Sequence, residues 1–195
     1  MPHPQNLATH CVQNAVETIP FEATSLSQRQ DAASILVAAL AHVPSAWKNL
    51  EDAQVEVATF FGSNERLAIG AVEEARLIGW IGAMRHSAHA WELHPLVVHP
   101  AHQGRGCGTR LVAALEDAAR RAAACTIWLG TDDDFGGTNL FGQNVYPDVF
   151  EHLRRLAPTA GHPFTFYRRL GYTVVGVIPD ADGPGKPDIL MAKRI

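Results

Sequence analysis

Four stretches of this 195-residue chain hold residue types able to do chemistry. Gln103-Gly104-Arg105-Gly106-Cys107-Gly108 sets three glycines at alternate positions around an arginine, between an alternating apolar run and an amphipathic one. Small residues there let successive backbone N–H groups converge on an anion at a helix N-terminus, which suits the turn to phosphate. The pattern misses the dinucleotide fingerprint, because Thr109 takes the third glycine position, and no G-K-[ST] follows as a P-loop requires. A plain flexible connection is the other reading of the glycines; Arg105 favours the anion. Upstream, regular strand alternation would put Glu92, His94, Leu96 and Val98 on one face, so that a carboxylate and an imidazole address the same cleft. Taken alone, Glu92 fits a surface charge or a proton acceptor. His94 fits a core histidine or a group that orders Glu92 or a water. Asp132-Asp133-Asp134 fits a cation-attracting face or a solvated turn, and Tyr167, among Phe164, Phe166 and Leu170, has the spacing of a packing residue. His86/His89 and His99/His102 have i,i+3 spacing without a further ligand motif, so no metal is assigned.

The elements that must position these residues follow from periodicity. Ser27 with Gln30 resembles a capping box, and Ile35, Leu36, Ala39, Leu40 and Val43 recur at helical spacing until Pro44. A second helix is expected over 50–60, strands over 66–72 and 76–84 around an acidic turn at Glu73-Glu74, and a strand over 91–98. Pro95 within that strand cannot donate to a sheet and marks a bulge or splay. After the glycine turn, Leu111, Leu115, Ala118 and Ala122 define a helix face, and a strand follows over 126–131. Pro163 and Gly171 bracket a short helix, and strands over 172–178 and 189–193 close the chain. Strands, helix, strand, helix and hairpin in that order give one α/β (α+β) domain, 1–195, around a mixed sheet.

Bulk properties narrow the partners. An apolar fraction of 47% with 18% charged residues is that of a folded protein. A net charge of −4 and a pI near 6.2 remove the bulk electrostatic case for nucleic acid. The apolar stretch 32–41 is too short for a membrane span, and the first ten residues lack the basic start and apolar run of a secretory signal. Cys11, Cys107 and Cys125 are odd in number and widely spaced, which fits a reducing cytoplasm better than a disulfide framework or a zinc site.

Val98-x-Pro100-x-x-Gln103-Gly104-Arg105-Gly106-x-Gly108 resembles the acetyl-CoA pyrophosphate loop of the GNAT superfamily of N-acetyltransferases. More narrowly, Trp91-Glu92-Leu93-His94-Pro95-Leu96-Val97-Val98, Leu129-Gly130-Thr131-Asp132-Asp133, His162-Pro163 through Phe166-Tyr167 to Gly171-Tyr172, and Lys186-Pro187-Asp188-Ile189 are similar to the aminoglycoside 6'-N-acetyltransferases. The likeness spans 78–195; earlier residues, which in that fold help wall the acceptor pocket, match loosely.

The resemblance implies a GNAT fold splayed at the acetyl-CoA site, and transfer of acetyl from acetyl-CoA to the 6'-amine of an aminoglycoside in a ternary complex, conferring resistance. Such transfer needs a neutral amine, a stabilised oxyanion and a proton for the departing thiolate. Glu92 is expected as base, through water, and as a positioner of the cationic amine, with His94 in support. Leu96 and Val98 would offer N–H groups to the thioester and pantetheine, and Gln103 to Gly108 would hold the pyrophosphate. Tyr167 would protonate the thiolate, and Asp132 and Asp133 would bind the polycation. A homodimer is also implied. Acetylation of a protein or peptide amine, or a non-catalytic acyl-CoA-binding module, are the competing readings; an extended acceptor groove would favour the first, and loss of the base or tyrosine the second.

Overall fold

The computed structural model describes residues 16–43 and 46–195. The signal reading of the first ten residues, Cys11 and the Pro44 helix stop fall outside that range. Seven strands, β1 (Glu17–Pro20), β2 (Arg66–Glu73), β3 (Arg76–Arg85), β4 (Ala90–Val98), β5 (Thr126–Asp132), β6 (Thr173–Ile178) and β7 (Asp188–Arg194), form one sheet in the order β1-β2-β3-β4-β5-β7-β6. Every pairing is antiparallel except β4 with β5. The helices are α1 (Leu26–Ala39), α2 (Leu50–Ala58), α3 (Cys107–Arg121), α4 (Val149–Arg154) and α5 (Phe164–Arg169). The mixed sheet and the element order agree with the sequence reading; β1 and α4 were not foreseen.

Two cores lie on the two faces of the sheet. Ala32, Ala33, Ile35, Leu36 and Ala39 of α1 and Ala53 and Val57 of α2 pack on Trp80 and Val97. On the other face Cys107, Leu111, Val112, Leu115 and Ala119 of α3 pack on Ile81, Ala83, Trp91 and Leu93. The α3 stripe therefore runs 107/111/115/119, and Ala122, expected on it, is exposed because the helix ends at Arg121. The α1 capping box also lies two residues upstream of the expected one: Ser25 Oγ accepts from Gln28 N at 3.3 Å and Gln28 Oε1 accepts from Ser25 N at 2.9 Å. Both Ser25-x-x-Gln28 and Ser27-x-x-Gln30 satisfy the pattern. The 3₁₀ turn over Phe21–Ala23, closed by Thr24 N and Oγ1 on Phe21 O, hands the chain to Ser25 already extended, and the upstream box starts the helix.

Two departures from regularity open the sheet. β5 pairs with β4 only at Ala90↔Thr126, Trp91↔Ile127 and Glu92↔Trp128, after which both strands run on apart. This is the expected splay. On its other edge, β4 takes three residue steps from Leu93 to Leu96 where β3 takes two from Ala83 to Ile81, so a bulge sits at His94-Pro95. The extra residue reverses which side chains face which core, and the shared face expected for Glu92, His94, Leu96 and Val98 is corrected by it. Leu96 and Val98 pack against the α3 core, as Trp91 and Leu93 do. Glu92, opposite Met84, and His94, beside Trp47, point to the α1/α2 side.

Candidate active site

Two cavities meet at the splay. The first, about 520 Å³, is walled by the ends of β4 at Leu96 and Val98, the glycine turn, and Pro163, Phe166, Tyr167 and Arg169 around α5. Gly104 and Gly106 take φ of +74° and +80°, a left-handed conformation that a side chain would strain, and Gly106 caps the start of α3. A Cβ on Gly108 would stand 3.4 Å from Phe166, so the missing side chain keeps the α3 N-terminus close to α5. Cys107 lies buried in this wall, and desolvation pushes its thiol up to about 11, which keeps it protonated and inert.

The main chain of β4 also faces this space. His99 N donates to Ile78 O at 2.8 Å, so residue 99 points to β3, and alternation along the ladder turns the N–H groups of Leu96 and Val98 to the open side. Gln103 Nε2 donates to Val98 O at 3.0 Å, tying the glycine turn to that same edge. Arg105, expected to meet the anion, is instead exposed and 3.9 Å from Glu73, outside the cavity wall; Glu73 also pairs with His102 Nδ1 at 3.2 Å.

The second cavity, about 470 Å³, lies between the β4/β5 opening and the segment after α1, with Trp47 and His94 on one side and Asp132, Asp134 and Phe135 on the other. Leu96, Val98, Gln103, Pro163 and Tyr167 line both cavities. Tyr167 thus stands where the two spaces join, its ring against Phe166 and Tyr172, and burial pushes its hydroxyl well above the usual phenol range, which keeps it protonated. The His94 ring lies 5.8 Å from Trp47 in a residue that stays exposed overall, and desolvation lowers its pKa against the opposing pull of Glu56 and Glu92, which favours the neutral imidazole. Glu92 is half-buried two residues below His94, where β4 and β5 still pair, and is not part of the cavity wall.

The acidic triplet divides sharply. Asp132 faces the cavity, and burial together with Asp188, Asp182 and Asp134 pushes its carboxyl up to about 7. Asp133, expected to bind substrate, is fully buried with both oxygens committed: Oδ1 accepts from Gly137 N at 2.7 Å, and Oδ2 accepts from Thr138 N at 2.8 Å and Thr138 Oγ1 at 2.7 Å. It fastens the loop after β5 and touches neither cavity.

Asp188 lines neither cavity but stands directly beside Asp132, and periodicity missed it. It opens β7 directly opposite Asp132, and its carboxylate lies across Gly130, where any Cβ would collide with Oδ2. Its buried Oδ1 has no hydrogen-bond partner among the described residues. The usable signal was Gly130 itself, a glycine inside a strand, which marks close approach of another group. No set of three or more His, Cys, Asp or Glu among the described residues is arranged to hold a metal. His86 packs on Trp128, and His89 Nδ1 meets Ala123 O, so the i,i+3 histidines serve local packing.

Residues 28–141 match the model of the acetyltransferase (GNAT) family. Among solved structures, the chain is similar to an aminoglycoside 6'-N-acetyltransferase complexed with coenzyme A, at 35% identity and a TM-score of 0.83, over 91% of this chain and 96% of that one. The aminoglycoside 6'-N-acetyltransferase from Enterococcus faecium matches at 34% identity and a TM-score of 0.82 over the same shares. The ribosomal-protein-S18-alanine N-acetyltransferase from Escherichia coli shares the fold alone, at 15% identity and a TM-score of 0.61. No curated protein sequence matches. A splayed mixed sheet, a glycine turn feeding the helix beside the splay and the family match over more than half the chain lead to one conclusion: the chain belongs to the GNAT family of acetyltransferases.

Proposed function

We propose that the protein transfers acetyl from acetyl-CoA to the 6'-amine of an aminoglycoside, and that it thereby confers resistance. The observation that carries this reading is the acidic floor of the second cavity, Asp132 with Asp182, Asp188 and Asp134 nearby, opening onto Tyr167 at the mouth of the donor cavity. Asp134 is paired with Lys186 at 3.4 Å, and the other three carboxylates, Asp132 at the cavity wall with Asp182 and Asp188 beside it, suit a multiply cationic sugar. The similarity to aminoglycoside 6'-N-acetyltransferases at 34–35% identity supports the same acceptor.

In this reading the glycine turn, Gln103 through Gly108, offers N–H groups to the pyrophosphate of the donor, and Leu96 and Val98 offer theirs to the pantetheine amides and the thioester oxygen, where negative charge develops during attack. Asp132 and Asp188 hold the acceptor as a cation. Glu92, through a water ordered by the neutral His94, takes the proton from the amine. An amine with a pKa near about 10 cannot attack until that proton leaves, so the carboxylate must act on a cation already held in place. Tyr167, kept protonated by its burial, gives its hydroxyl proton to the departing thiolate.

The deciding measurement is acetyl-CoA turnover with a 6'-amino aminoglycoside, its 6'-hydroxy counterpart and a peptide amine, with the acetyl group located by mass spectrometry. Transfer to the 6'-amine alone is expected; transfer to the peptide, or to another sugar nitrogen, would refute the assignment. The same reading includes a homodimer in the cytoplasm, checked by sedimentation velocity and cell fractionation. Among the described residues no helix is long and apolar enough to cross a membrane.

A further inference from the structure

The donor cavity has a cation that neither its glycine motif nor the acceptor chemistry explains. Arg105, the arginine inside the turn, lies outside the wall and is drawn toward Glu73, and His102 is paired with the same Glu73 oxygen. Arg110, in the first turn of α3, is likewise absent from the wall. Arg169 is the arginine that lines the cavity, and it makes no ion pair among the described residues.

Its position follows from the short helix that bears it. Phe166 packs toward Gly108 at the start of α3, and Arg169, three residues on, shares that face of α5. Arg169, exposed and without an ion pair among the described residues, therefore lines the cavity on the α5 side, with the α3 N-terminus lining it on the other. The two walls are complementary in kind: oriented backbone donors on one side, and a full positive charge with a planar fork of donors on the other.

We infer that Arg169 is a specificity-determining residue that binds a phosphate of the donor and so selects a nucleotide-bearing thioester over a bare pantetheine thioester. This assignment concerns the donor alone and does not depend on which amine is acetylated. The phosphate is either in the pyrophosphate or at the 3' position of the ribose, and the two are separable because dephospho-CoA lacks only the second.

The experiment is calorimetric titration of wild type, Arg169→Gln, Arg169→Lys and Arg168→Gln with CoA and with dephospho-CoA, each at low and at high salt. Arg169→Gln is expected to weaken CoA about five- to tenfold at low salt, the scale of one charge-assisted contact at an open site, and less at high salt. Arg169→Lys should recover part of the loss. Arg168→Gln, next in sequence but placed over the Phe164 ring, should leave both ligands unchanged. If CoA and dephospho-CoA weaken alike, the contact is to the pyrophosphate; if CoA weakens alone, it is to the 3'-phosphate. Unchanged CoA affinity in Arg169→Gln, or a loss of the same size at both salt concentrations, would overturn the inference, because a packing defect is not screened by ions.

Discussion

Asp132 and Asp133 are neighbours with opposite assignments, and replacing each by asparagine separates them. At Asp133 the change keeps size and removes charge. An asparagine can turn its single oxygen toward Thr138 N and Thr138 Oγ1, but its amide nitrogen then faces Gly137 N–H, donor against donor, in a site with no solvent exposure. One charge-assisted bond is lost, two become neutral, and a buried donor is left unpaired. Together these cost about 2–4 kcal/mol. For a chain of this length that lowers Tm by about 5–15 °C. Asp132→Asn removes a carboxylate already disfavoured by Asp188 and Asp182, so Tm should hold or rise, while the KM for an aminoglycoside rises by an order of magnitude or so. Thermal melts read beside KM for donor and acceptor give the answer. If Asp133→Asn leaves Tm unchanged and raises the acceptor KM instead, Asp133 is a recognition residue and its buried hydrogen bonds are not what holds the loop after β5.

Four further outcomes are expected. Because the Asp132 carboxyl is raised to about 7 from its ordinary 3.8, attraction for a cationic acceptor is present above that pH and lost below it; acceptor KM should climb as pH falls from about 8 to about 6, and the dependence should vanish in Asp132→Asn. Gly130→Ala forces a Cβ into the Asp188 carboxylate, so acceptor KM should rise with little change in donor affinity, both read from steady-state kinetics. Tyr167→Phe should lose about 10²-fold or more in kcat with acetyl-CoA but much less with an activated aryl thioester, whereas the loss in Glu92→Gln should follow the pKa of the acceptor amine; near-wild-type rates for both would remove both assignments. Lys193→Met strands Glu116, 5% exposed and bonded by Lys193 Nζ at 2.8 Å to each oxygen, leaving Arg120 at 3.6 Å as its ion-pair partner among the described residues, and should cost about 2–3 kcal/mol in denaturant unfolding.

What the sequence made legible was local. The helix after the glycine turn, the alternation of the strands and the Pro163 to Gly171 bracket each arise from residues within a few positions of one another, and each is present within a residue or two. β1 escaped because four residues carry no measurable period; pairing with the edge of β2 is what defines it. Asp133 was misread because its partners sit in a loop whose path no local pattern sets: an acidic run after a strand looks the same whether its carboxylates meet water, a substrate or buried N–H groups. Asp188 escaped for the opposite reason. Its neighbours across the sheet, Gly130 and Asp132, lie more than fifty residues earlier, so only the pairing of β5 with β7 brings the carboxylates together.

In the proposed reaction the β4 bulge lets a single local irregularity serve two substrates at once. In a regular strand Glu92, His94, Leu96 and Val98 would project into one space, and the apolar pair would crowd the water that the polar pair needs. The extra residue at His94-Pro95 sends Glu92 and His94 toward the α1/α2 side and turns the side chains of Leu96 and Val98 into the α3 core, while their N–H groups stay on the edge that the splay exposes. Proline is suited to that position because an amide hydrogen there would have no ladder partner. One strand can then present side chains to the acceptor and main chain to the donor without the two competing for volume. Tyr167, reaching the junction from the opposite wall, is left as the side chain from α5 that faces both spaces, the place that the proposed proton transfer to a leaving thiolate requires.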